Sequence, residues 1–241
     1  MDYEFLEINK QEEKHSDTRF VSIQEFRNEL AIHEASHFVF HQLLSKNLTE
    51  NYQIGYVVIC AENLTELNKV NFKRPEYYET YGDHSYFIKD RRRLVAHLLN
   101  LIAGYSSYQE FISRKEFYIF SQINNQNNDN LEIKYYSLEY SSYSGATDFR
   151  VINELLKTYY PNLNYRNQIE ILARLTCIAQ TIMGKGPVKK SIHLVKDALL
   201  KNQCNKIEGD ELETLKESVN ELISDLDFTG ILEELKDEIK Y

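Results

Sequence analysis

Tryptophan is absent from this chain of 241 residues, and proline, cysteine, methionine and glycine are scarce, at 3, 3, 2 and 8 residues. With so few prolines and glycines, long stretches are free to be helical, and collagen-like or linker-dominated chains are excluded. Cys60, Cys177 and Cys204 are odd in number and far apart, and Cys60 and Cys177 sit in apolar runs. No disulfide framework is implied, and reduced thiols in a cytosolic compartment are expected. No apolar run approaches the roughly 20 residues that a membrane span needs. Met1 to Lys14 is acidic and polar instead of basic then apolar, so no signal peptide is expected and the expected location is cytoplasmic. The sequons at Asn47 and Asn63 then read as incidental. Positive charge is short as well: 28 Lys and Arg stand against 37 Asp and Glu, a net charge of −9. A nucleic-acid partner therefore lacks electrostatic support, and the one basic cluster, Lys89 to Arg93, reads as the solvated start of a helix.

What the chain does have is an apolar share of 42%, enough for a sizeable core in a globular protein. It also has His33-Glu34-Ala35-Ser36-His37, set inside a run from Ser22 to Ser45 that contains neither Pro nor Gly. Ser22-Ile23-Gln24-Glu25 reads as a capping box, and Ile23, Phe26, Leu30, Phe38, Leu43 and Leu44 recur at roughly helical spacing. On that helix the two histidines share a face and can point at one ion, while Glu34 flanks the place of a metal-bound water. This is the layout of a zinc hydrolase, which needs a third protein ligand and an open fourth position.

The remaining pattern predicts a mainly α (α+β) chain with one small sheet and a C-terminal helical bundle. Residues 1–21 read as a polar lead-in, 22–215 as the main domain and 216–241 as acidic helices packing on it. Tyr52 to Cys60, rich in β-branched and aromatic residues, reads as a strand, and residues 61–85 as loop with a short edge hairpin. Helices are predicted over Lys89 to Ser113, from Ser144 to Pro161, over 165–183 and over Val188 to Gln203. An acidic helical pair, broken at Asp227 to Gly230, is predicted over Asp210 to Lys240. Residues 121–130 are a low-complexity, Asn-rich surface insert, and the Tyr-rich stretch to Tyr143 stays unassigned. Cys177, in an apolar run, reads as core.

Spacing alone leaves the third ligand open. His41 continues the series, but it lies about 12 Å along a straight helix from His33, too far for one ion with bonds near 2 Å. A metzincin pattern fails, because Phe40 and Leu43 stand where it needs Gly and the third His. The candidates that remain are His84, His97, Glu110 and Asp148.

In order, the His33 to His37 helix, the strand Tyr52 to Cys60, the segment Leu99-Asn100-Leu101-Ile102-Ala103-Gly104 and the stretch Ser144-Gly145-Ala146-Thr147-Asp148 resemble the peptidase domain of the FtsH family of ATP-dependent zinc metalloproteases. A late turn at Ile207 to Glu211 extends the likeness over about residues 22–215. The resemblance implies that His33, His37 and Asp148 hold Zn2+ and that Glu34 is the general base. Ser36 stands where the family has Gly, the stretch before Asp148 is one residue shorter, and Tyr105-Ser106-Ser107-Tyr108-Gln109 replaces a charged segment. Asp148 also has a plain role available as a helix N-cap, worth about 1 kcal/mol. Without a Walker loop or a membrane span, the implied protein is a stand-alone peptidase domain. Its substrates would be unfolded or extended polypeptides, or ones that a separate partner delivers. A strand at 52–60 on the sheet edge would pair with such a peptide. The alternative is a non-catalytic interaction or regulatory module that keeps the fold and a structural zinc.

Overall fold

The computed structural model describes residues 5–8, 19–48, 53–58, 69–73, 91–112, 146–201 and 206–238. In chain order these form β1 (Phe5–Ile8), β2 (Arg19–Ser22), α1 (Ile23–Leu48), β3 (Gln53–Val58), β4 (Lys69–Lys73) and α2 (Arg91–Ile112). There follow α3 (Ala146–Tyr159), α4 (Tyr165–Met183), α5 (Gly186–Lys201), β5 (Lys206–Glu208), α6 (Gly209–Leu222) and α7 (Thr229–Glu238). The chain is mainly helical, as its composition predicts. No described helix is long and apolar enough to cross a membrane.

Everything is arranged around α1. Every residue from Glu29 to His41 is buried, so this helix is enclosed on all faces and not along one stripe. α2 and α5 flank it, α4 and α7 pack on α2, and α6 closes against α5. Phe38, Phe40, Leu43, Leu98, Leu99 and Ile102 are among the side chains fully removed from water between these helices. Each contributes roughly 1.5–3 kcal/mol of hydrophobic stabilisation. A helix so enclosed also strips water from its polar residues, and that is what makes the motif residues chemically unusual.

The helix boundaries follow local chemistry. Pro161 follows the end of α3, and Asn164 caps α4 by accepting the Asn167 backbone N–H at 2.9 Å. The Gly184 backbone N–H closes α4 on the Gln180 carbonyl at 2.8 Å. Pro187 in the first turn of α5 lacks only an N–H that would have no helical partner. The Asp227 carboxylate accepts the Thr229 backbone N–H at 2.9 Å and starts α7, which holds that carboxyl below its ordinary pKa. At the C-terminal end of α6, Lys46 from α1 donates to the Ile223 and Ser224 carbonyls, tying the end of one helix to the other.

Several expectations need correction. The stretch read as a lead-in contains a paired strand: β1 lies antiparallel to β2, with Phe5 opposite Ser22 and Ile8 opposite Arg19. β3 is not an edge strand. It is the middle strand of a sheet ordered β4-β3-β5, all antiparallel, with a bulge between Ile54 and Tyr56. This sheet is separate from the β1-β2 pair, so the described residues form two small sheets and not the one expected. Residues 206–208 form the strand β5, so the Ile207 to Glu211 segment is a strand-to-helix junction turned by Gly209, whose φ is 61°. Cys177 departs from its expectation too. It is exposed on α4, because the buried face of that helix is set by Leu172, Leu175, Ala179 and Ile182. Cys60, Cys204, the 121–130 insert and the Tyr-rich stretch lie outside the described residues.

Candidate metal centre

His33 and His37 stand one turn apart on α1, with ring centroids 4.6 Å apart and planes at 82°. Their Nε2 atoms face each other at 3.0 Å. Asp148, in the first turn of α3, brings Oδ2 to 3.1 Å from His33 Nε2 and 3.2 Å from His37 Nε2. The N-terminal end of a helix favours an ionised carboxylate at that place. Asp148 is thus committed to the histidines and is no simple helix cap.

The partner helix α2 lies antiparallel to α1 and meets the histidines with main chain. His37 Nδ1–H donates to the Asn100 carbonyl at 2.7 Å. The Gly104 carbonyl lies beside His33 and favours its protonated form, and Ser107 Oγ donates to that same carbonyl at 2.6 Å. An imidazole that donates from Nδ1 offers its Nε2 lone pair, which is the tautomer a metal ligand requires.

Three acceptor atoms at 3.0–3.2 Å repel one another unless a cation lies among them. In the metal-free chain a proton plays that part. Burial alone would lower the pKa of His37. The charge and hydrogen bond of Asp148, helped by the charge of Glu34 and by the Asn100 carbonyl, raise it to about 9. Burial would raise Asp148, but His37 and His33 hold its carboxyl well below the usual range. His33 moves the other way: burial lowers it, and the neighbouring charge of His37 adds to that.

The same triangle suits a metal. Three ligands at about 2.0–2.1 Å from one ion lie about 2.9 Å apart at right-angled coordination and about 3.4 Å apart at tetrahedral coordination. The observed edges fall between these limits. Two imidazole nitrogens and one carboxylate oxygen are a donor set for zinc and for other divalent first-row ions. Among the described residues, His33, His37 and Asp148 are the one such group of three or more, and no fourth His, Cys, Asp or Glu joins it. Side-chain exposure rises from 2% at His33 to 9% at His37 and 16% at Asp148, so Asp148 is the member of the group nearest to solvent. Glu34 is buried next to it.

Of the other candidates, His41 is not part of this group. It is buried against His97 of α2 and Lys216 of α6, with Ser45 Oγ at 3.4 Å from its Nδ1. His97 therefore belongs to that neighbourhood and not to the triad. His84 and the side chain of Glu110 lie outside the described residues. The residue pattern did not reveal Asn100 and Ser107 as contributors, because the groups that carry the interaction are main-chain carbonyls and a hydroxyl. The resembling segment Leu99 to Gly104 pointed to this part of α2 without saying which of its atoms take part. Compared with protein-family models, with curated proteins and with solved structures, the chain matches none.

Proposed function

We propose that the chain is a zinc metallopeptidase of the His-Glu-x-x-His type, acting on unfolded or extended polypeptides. The observation that carries this reading is the triangle of buried His33 and His37 with half-buried Asp148, and buried Glu34 beside it on the same helix as the histidines. The likeness to the FtsH peptidase domain in motif order supports it. His33, His37 and Asp148 would hold the ion, which supplies Lewis acidity and lowers the pKa of a bound water toward 7. Glu34 accepts the proton of the attacking water and returns it to the leaving amine. Burial of Glu34 and the histidines keeps bulk water from competing. Three protein donors suit a catalytic site, since structural zinc sites close with four. A cytoplasmic location and a separate partner that delivers substrate belong to the same proposal.

The test is Glu34→Gln, assayed for zinc content and for cleavage of a mixture of unstructured, quenched-fluorescent peptides. Zinc is retained and turnover falls by about 10²–10⁴-fold. Equal cleavage by the variant contradicts the role of Glu34. A second reading, a non-catalytic module with a structural zinc, draws on the buried Tyr105, which stands where the resembled family carries an arginine. Wild type that holds zinc and cleaves nothing decides for it.

A further inference from the structure

What α2 presents to the triad is backbone, and at one position it presents nothing more. A Cβ built on Gly104 would lie 2.6 Å from both His33 Nε2 and His37 Nε2, and closer still to His33 Cε1. No real Cβ tolerates such distances. Among the described glycines this crowding is peculiar to Gly104: Gly186, Gly209 and Gly230 have open space, and Gly184 would meet only ordinary contacts at 3.4 Å. Ring atoms at the end of a side chain normally yield to an added methyl by rotating. Here His37 cannot rotate without giving up its 2.7 Å bond to the Asn100 carbonyl, and His33 cannot do so without leaving Asp148.

We infer that Gly104 is a positioning residue for the metal, because its missing side chain is the space that lets two imidazole nitrogens and an ion converge against α2. The requirement for glycine comes from the histidines. The helix itself does not impose it, since alanine is the better helix former in a helix interior, and the three nearest atoms that a Cβ would meet all belong to the two histidines. The inference rests on the metal reading of the triad and is independent of whether the site cleaves peptides.

Two measurements test it. In the first, Co2+ is titrated optically into metal-free wild type and Gly104→Ala. Binding weakens at least 100-fold in the variant, and the visible absorption of the bound ion changes shape. Unchanged affinity and spectrum in Gly104→Ala overturn the inference and leave the metal reading standing. Wild type that takes up no Co2+ overturns the metal reading, and the inference with it. The second measurement needs no metal and guards against a variant that binds poorly because it folds poorly. Urea midpoints in the presence of chelator are compared for Gly104→Ala in the natural chain and in His33→Ala/His37→Ala. The substitution lowers the midpoint in the first background and raises it in the second, where the rings are gone and only the helix preference remains. An equal loss in both backgrounds assigns the glycine to helix packing and overturns the inference.

Discussion

Two stretches of the same buried helix carry histidine, and His37 of the first and His41 of the second behave in opposite ways. At His33 and His37 a carboxylate from α3 faces the rings, and His37 is raised to about 9. One turn further on, His41 is buried as deeply but faces His97 and Lys216, and it is lowered to about 3. Helix, spacing and burial are shared, and what differs is the sign of the charge brought up by the partner helices. Burial makes a histidine sensitive, and the facing group decides whether that sensitivity favours a cation or excludes one. Of the two stretches, the first belongs to a group that could hold a metal ion, and among the described residues the second does not.

The comparison breaks most visibly if the carboxylate is neutralised. In metal-free Asp148→Asn, the pKa of His37, followed by NMR of its ring protons, falls from about 9 toward 6.5 or below it. The stability of the metal-free protein follows with a definite sign. A histidine raised in the folded state gives its full stabilisation below pH 6.5 and loses it as pH climbs through 9. Chelator-treated wild type thus loses roughly 3 kcal/mol between those values, and Asp148→Asn loses much less. A His37 pKa that stays near 9 in the variant contradicts the part assigned to Asp148.

An effect of opposite sign is expected at His41. Its lowered value means that the stabilisation is present above pH 6.5 and is lost as pH falls toward about 3. His41→Leu should flatten the acid limb of the stability profile by about one proton, or about 1.4 kcal/mol per pH unit. Urea midpoints at pH 5 and pH 7 provide the readout. A limb as steep as that of wild type would show that another group is responsible.

The contrast between α1 and its surroundings also explains how much of the molecule could be read from the residues. α1 and α2 were legible within a few residues, because their apolar spacing is uninterrupted and their ends are polar. The stop at Pro161 and the break before Thr229 were legible for similar local reasons. The position of β3 was not, because its partner β5 lies more than half the chain away and a strand's own pattern does not say what pairs with it. β1 was missed because four residues in a charged stretch carry too little periodicity to register. At the site, His33, Glu34 and His37 declared themselves by spacing, and only resemblance singled out Asp148 from the four candidates for the third ligand, since one acidic residue at a helix start has an ordinary capping role. Asn100 and Gly104 act through a carbonyl and a missing side chain, and such features appear only when two helices are laid together.

The most direct test of the account is X-ray absorption at the zinc edge, on protein purified without chelator and on Asp148→Ala. The account predicts a shell of nitrogen and oxygen scatterers at about 2.0–2.1 Å with the outer signature of two imidazoles, and loss of the bound zinc in the variant. A sulfur scatterer near 2.3 Å, or a zinc environment unchanged in Asp148→Ala, would place the metal elsewhere and contradict the account.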